Sequence, residues 1–319
     1  MCILRGDFKF IWKNKEEEKL KKEDFQDGIE LLKQPVLPLV SMVQFMYHLS
    51  DSKTTIEDII AEMTQPIETV YTVYPDPAPL LRGYIDQLHV LETSEKVDIE
   101  VVNEAGQPVD AVTACVALMK QRILEAELEE INSLLCVPCH CQLCCVGPEK
   151  DMAQEFFEIP LQDAEIDLFA LRRHDTPASR SSKALDAAEN DAFLVNGRPF
   201  YQGTAQGSTP ELFHWQNGWS MILPKEASCP ALEQNGRCTV YSQRPQVCRR
   251  PQIFSYILEP LPSMESMKAM ESMGQRRKYR IRNSLLAVTD CPYVQLLQDE
   301  IAAYAAASEL QCILKANKG

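Results

Sequence analysis

Five cysteines fall within ten residues, in the run Cys136-Val-Pro-Cys139-His140-Cys141-Gln-Leu-Cys144-Cys145. A two-residue gap between cysteines lets two sulfurs point at one ion while the intervening amides turn back toward it. Zinc and iron–sulfur sites both use that geometry. Cys144 and Cys145 are adjacent, so both can serve only if the backbone bends sharply or two metal sites share the loop. A second group reads Cys229-Pro-Ala-Leu, then Gly236-Arg-Cys238-Thr-Val-Tyr241, then Arg244-Pro245-Gln-Val-Cys248-Arg249, with Cys291 beyond it. These nine thiols exceed the four of one tetrahedral zinc. Eight would fill two four-thiolate zinc sites or two clusters. Thiolates select soft or borderline metals and disfavour magnesium and calcium.

The two groups together resemble the YkgJ-type cysteine-cluster family, described as zinc- or iron-chelating domains. Its pattern is C-x-x-C-x-x-C-C, then C-P-x-L, G-x-C-x-x-Y and R-P-x-x-C-R, and a late cysteine. Cys141, Cys144 and Cys145 match the end of the first motif. Cys229, Cys238, Tyr241, Arg244, Pro245, Cys248 and Arg249 match the later ones, and Cys291 can serve as the late cysteine. The segment Phe157-Glu-Ile-Pro-Leu161 is similar to the family's connector. The family's first cysteine would fall at Pro138, between Cys136 and Cys139, so these two compete for one role. Cys139 is the nearer to Cys141. Over residues 136–295 the resemblance implies ligation of metal by Cys139, Cys141, Cys144, Cys145, Cys229, Cys238, Cys248 and Cys291. A related signature in flagellin lysine N-methylases pairs an iron–sulfur cluster with S-adenosylmethionine. It implies an enzymatic alternative, methyl transfer to a protein.

Clustered thiolates need positive charge nearby. From Arg237 to Arg282 there are ten Lys+Arg against three Asp+Glu, in a chain whose net charge is −14. Arg244 and Arg249, beside Cys248, are the candidate cofactor contacts, because guanidinium N–H groups can hydrogen-bond sulfur and tune a potential. This compensation favours an iron–sulfur cluster, with a redox or protein-modifying role. The alternative is a zinc-stapled interaction module or a metal-delivery protein without catalysis. His140 reads as a donor beside the metal rather than a ligand. His214, Trp215 and Trp219 read as an aromatic cover over the site. Met264, Met267, Met270 and Met273 read as a packing face, and the basic run Arg276–Arg282 as a solvated one. Cys2, Cys115 and Cys312 are expected bystanders. No phosphate-binding loop, dinucleotide fingerprint or hydrolase motif is present.

The elements that must position these residues fall on two sides of residue 108. Residues 1–108 carry 11 Lys+Arg and 20 Asp+Glu, a net charge of −9 that disfavours nucleic acid and suits a protein partner or protein substrate. Apolar spacing predicts a core helix over 36–49, a helix opened by a Thr54/Glu57 capping box, a third over 79–91, and a strand at 97–101. That order is winged-helix-like. Residues 109–319 form the expected cysteine-rich metal-binding domain: a long helix over 110–135, a strand at 157–161, a helix at 163–172, a loop at 175–190, an Asn196-Gly197 hairpin and a long helix over 293–314. The fold class is therefore α+β, mainly helical, with short strands. Met1–Phe25 has no apolar signal core and no run is long enough to span a bilayer, so the reading is cytoplasmic with no membrane partner. In that reducing compartment, clustered thiols are metal ligands before they are disulfides.

Overall fold

The computed structural model describes residues 20–51, 53–93, 99–139, 141–142, 144–189, 193–202, 209–234, 236–250, 252–261 and 277–315. Cys2, His140, the methionine run and Arg276 lie outside the described residues. The chain folds as a mixed α+β protein.

The first helices are α1 (Gln26–Leu32), α2 (Leu37–Leu49) and α3 (Ile56–Glu62). Pro38 sits in the first turn of α2, where its missing N–H costs nothing. The helix buries Leu37, Leu39, Val40 and Val43 but leaves Met42, Phe45 and Leu49 exposed, so it is not the wholly buried helix its composition suggests. The capping box of α3 lies one residue later than Thr54/Glu57. Thr55 is extended and its Oγ1 accepts from the Asp58 N–H at 3.1 Å, which sets Ile56, Ile59 and Ile60 on the buried face. After the short hairpin β1 (Ile67–Glu68) and β2 (Val73–Tyr74), the expected helix over 79–91 is broken into α4 (Pro77–Arg82), α5 (Ile85–Leu88) and α6 (Val90–Thr93). Gly83 interrupts it at the first break.

The strand β3 (Ile99–Val102) leads to α7 (Ala111–Cys139), about 43 Å of helix. Asp110 caps it, accepting from the Thr113 N–H at 2.9 Å and from the Thr113 hydroxyl at 2.7 Å. Pro138 falls in its last turn, and α7 ends at Cys139.

Next come β4 (Phe156–Leu161), β5 (Arg173–His174), α8 (Pro177–Arg180), α9 (Ala184–Glu189), β6 (Leu194–Val195), β7 (Arg198–Pro199), β8 (Glu211–Trp215) and β9 (Gly218–Pro224). Two expectations fail here. Residues 163–168 form only a 3-10 turn, and the segment expected as a loop over 175–190 holds α8 and α9, the first capped by Thr176. Asn196 and Gly197, both at positive φ, make the expected hairpin turn between β6 and β7. The larger strands form a sheet in the order β4-β9-β8-β5, with only the β5–β8 pair parallel. Alternation gives it two apolar faces, one with Phe157, Ile159, Leu161 and Met221, the other with Phe156, Phe213, Trp215 and Ile222.

The chain closes with α10 (Gln246–Arg249), β10 (Ile253–Pro260), β11 (Arg277–Val288), α11 (Pro292–Leu296), α12 (Gln298–Ala307) and β12 (Gln311–Lys315). The expected helix over 293–314 is thus two helices and a strand. β11 pairs antiparallel with β10 along one edge; on the other it takes β3 at 277–280 and β12 at 284–288, both parallel and end to end. α7 packs on this sheet through β10. One large core joins Phe25, Val36 and Leu81 to Ile123 and Leu135 of α7 and to Ile257, Leu285 and Ile301. Residues on both sides of the expected boundary at 108 therefore contribute to it. No helix among the described residues is long and apolar enough to cross a membrane.

Candidate metal centre

α7 ends in the first cysteines, so its packing fixes their direction. Cys139 is the last helical residue, Cys141 follows after a single residue, and Cys291 arrives from 150 positions later in the chain. Cys291 is the N-cap of α11, extended at φ −79° and ψ 128°, with Pro292 at the first helical position. The sulfurs of Cys139, Cys141 and Cys291 all lie within 4.8 Å of one another. Cys139 is 3% exposed and Cys291 1%, so this trio is built into the large core. Hydrogen bonds from the Cys141 and then the Cys291 thiol hold the Cys139 thiol below its ordinary pKa. Cys141 is raised by the Cys139 thiolate beside it, and Cys291 likewise. Three touching thiols cannot all ionise without a cation among them. Cys136 lies one turn before Cys139, and burial pushes it up to about 12.

The second group comes from loops and, for Cys248, from the short helix α10. Cys144 and Cys145 place their sulfurs 3.9 Å apart, which is contact without a bond. The strand-like run after them zips onto the end of β9: the Cys229 N–H donates to the Cys145 carbonyl at 2.7 Å, the Gly147 N–H to Ala227 at 2.8 Å, and Val146 bridges Ser228. Gly147 is required for this approach, because a Cβ there would meet the Pro224 carbonyl oxygen at 1.9 Å. A turn through Gly236, at φ 84°, then folds Cys238 back onto Leu232. Cys229, Cys238 and Cys248 are half-buried against the Phe157 face of the second sheet. Burial raises Cys248, and charge on Cys144, Cys229 and Cys238 raises it further. Cys145 is raised chiefly by the Cys144 thiol, then by burial and by Cys229 and Cys248. Cys144 and Cys145 are thus in contact, and Cys229, Cys238 and Cys248 share one apolar layer.

Of the expected ligands, the structure brings the sulfurs of Cys139, Cys141 and Cys291 together and sets Cys144 against Cys145, and all the described cysteines are free thiols. Of the expected bystanders, Cys2 lies outside the described residues and Cys115 and Cys312 are not part of the trio. Cys115 lies 24 residues before Cys139 on α7, about 36 Å along the helix axis, where its thiol donates to the Val90 carbonyl. Cys312 is on β12.

The arginines divide in a way their spacing does not show. Arg249 pairs with Glu129 of α7 at 3.7 Å, and Arg250 pairs with Glu129 and Glu125. Arg244 is buried; its Nη2 donates to the Ser133 hydroxyl at 2.7 Å and its guanidinium lies 3.8 Å over the Tyr241 ring. The Tyr241 hydroxyl donates to the Ser133 carbonyl. Motif residues Tyr241 and Arg244 therefore clasp the loop that carries Cys238 and Cys248 to α7, one turn before Cys136. Ser133 and Glu129 were not singled out by sequence reasoning; their positions at i−3 and i−7 from Cys136 are the signal that could have found them. The expected aromatic cover is split. His214 stacks on Trp219 at 4.7 Å on the cysteine side, whereas Trp215 faces the opposite apolar layer, since alternate residues of β8 point to opposite faces.

The chain matches no protein-family model, no curated protein and no solved structure. The free thiols and their convergence are compatible with metal binding.

Proposed function

We propose that this chain is a metal-binding protein that gathers its cysteines into two adjacent thiolate centres and holds iron–sulfur clusters there; its cysteine pattern resembles that of YkgJ-type proteins, described as zinc- or iron-chelating. The observation that carries the reading is the convergence of the Cys139, Cys141 and Cys291 sulfurs within 4.8 Å without a disulfide. Three thiols from segments so distant, packed in an apolar core, are costly to ionise alone and well suited to a soft cation. The second centre draws on Cys144, Cys145, Cys229, Cys238 and Cys248. In this reading the clusters serve a redox or protein-modifying reaction, with S-adenosylmethionine as the candidate cosubstrate. The acidic winged-helix-like module receives the protein partner, and the exposed Met42, Phe45 and Leu49 of α2 support that assignment.

A zinc staple is the second reading. The near-complete burial of Cys139 and Cys291 favours it for the first centre, because structural zinc sites are closed. Protein purified without oxygen decides between them. Iron with acid-labile sulfide and broad absorption near ~400 nm is expected of clusters. Colourless protein with stoichiometric zinc would move both centres to a structural role, and protein that retains neither metal would sink the proposal.

A further inference from the structure

Cys139, Cys141 and Cys291 form an arrangement on which oxidation can act as well as metal. Their sulfurs all lie within 4.8 Å of one another, and each is a free thiol. Cys139 and Cys291 are buried, whereas Cys141 is not. An oxidant arriving from solvent therefore meets Cys141 first, with two reduced thiols held close behind it. An accessible thiol beside a resolving thiol is the geometry that turns a sulfenic acid into a disulfide before further oxidation. The possible partners differ in what a bridge must enclose. A Cys139–Cys141 bridge closes a ring through one intervening residue, and a Cys144–Cys145 bridge closes one through none. Rings so short strain the disulfide dihedral away from its preferred value of about 90°. Cys291 comes from a separate segment, as the N-cap of α11, and imposes no such ring.

We propose that the trio, in the metal-free chain, is an oxidation site for peroxides, where Cys141 is oxidised and Cys291 closes a disulfide onto it. In the first step the Cys141 sulfur attacks hydrogen peroxide and the O–O bond breaks, giving Cys141 sulfenic acid and one water. In the second the Cys291 sulfur displaces the hydroxyl of the sulfenic acid, which leaves as a second water with the Cys291 proton. Two thiols thus supply the two electrons that reduce one peroxide, and Cys139 stays a thiol. The bridge fastens the segment after α7 to the start of α11. It also withdraws two of the three sulfurs from any metal, so oxidation and metal occupancy exclude each other at this centre. Only that competition rests on the metal-binding reading above; the oxidation itself rests on the convergence of the three sulfurs.

The test uses the full chain, reduced, stripped of metal with a chelator and treated stepwise with hydrogen peroxide, with folding followed by circular dichroism. Remaining thiols are alkylated, and disulfides are mapped by mass spectrometry of unreduced peptides. The expected result is a peptide pair joined through Cys141 and Cys291, with Cys139 alkylated in the same molecules. Cys139→Ser keeps that bridge and Cys141→Ser loses it. In Cys291→Ser, dimedone, which traps sulfenic acids, labels Cys141. Recovery of Cys141 and Cys291 as alkylated thiols, of Cys141 as sulfinic acid, or of either joined to another cysteine would overturn the proposal. So would a metal-free wild-type chain that is unfolded. Where a serine variant fails to fold, the wild-type map decides alone. Cobalt(II) then separates the two readings through its thiolate-to-cobalt charge-transfer band, which is expected in the reduced chain and weaker in the bridged one. A band undiminished by the bridge would refute the competition. No band in the reduced chain would remove the metal-binding reading while a mapped bridge stands, and a band without a bridge would remove this inference alone.

Discussion

The two thiol groups lie side by side yet are built by different means. The Cys139–Cys141–Cys291 trio is an extension of the hydrophobic core, held by the end of a 29-residue helix and the N-cap of α11. The Cys144–Cys248 group is held by loops, the four-residue helix α10, a few backbone hydrogen bonds and one obligatory glycine. A thiol in the first group cannot move without repacking apolar side chains; one in the second can move with its loop. The difference teaches that burial, rather than the number of thiols, separates a centre that supports the fold from one that the fold merely supports. The first should resist exchange, and the second should be where metal or reductant enters.

The largest effect that could break this contrast is a pair of serine substitutions in metal-loaded protein. Cys291→Ser should cost at least about 4 kcal/mol in denaturant unfolding, because it removes a ligand and leaves a hydroxyl buried in apolar surroundings. Cys248→Ser should cost less than about 1 kcal/mol while still lowering retained metal. Equal costs would erase the distinction.

The next largest concerns the core alone. Glu127 on α7 is buried, accepts from the Val36 N–H at 2.9 Å and from the Tyr304 hydroxyl at 2.6 Å, and is raised by burial from the ordinary 4.5 to about 7. Tyr74, Tyr84 and Glu130 also lie within its field. A raised carboxyl favours the protonated fold, so its stabilisation is complete below about pH 4.5 and is lost as pH rises through about 7. That rise corresponds to roughly 3 kcal/mol at 1.36 kcal/mol per pH unit. Glu127→Gln should flatten the decline in stability between pH 5 and 8 by about that amount. An unchanged slope would show that the carboxyl is hydrated in solution.

The smallest effect sharpens the loop side. Gly147→Ala should cost about 2 kcal/mol through its clash with Pro224 and should release metal from the second group only. Metal analysis showing both groups depleted would mean that the loop also secures the trio.

Much of the site could be read from residue spacing, because short-range thiol geometry is local. The Asn196-Gly197 turn and the apolar stripe of α7 were visible for the same reason. What could not be read is the division into two groups. It depends on the C-terminal sheet, which brings Cys291 beside Cys139, and no local pattern announces that pairing. The same limit explains the C-terminal strand. Gln311–Lys315 follows an alanine-rich helix that ends at Ser308 and Glu309, the latter at φ 58°, with no glycine or proline to mark the break, and it is a strand because β11 offers it a parallel edge. Arg249 was misleading in a related way: its neighbour in sequence is Cys248, but its neighbour in space is Glu129.

The shared edge of β11 also sets a timetable. β3 leaves synthesis before residue 103, yet its partner on β11 begins at Arg277, and β12 must then dock beside it on the same edge. The sheet under the N-terminal helices therefore stays incomplete while the 174 residues from 103 to 276 are made. The loop group has all its thiols once Cys248 has emerged, whereas the core trio must wait for Cys291. In the metal-binding reading, the loop group can therefore capture metal first during translation, and the core trio closes only when the final strands arrive, which would write the order of loading into the order of the chain.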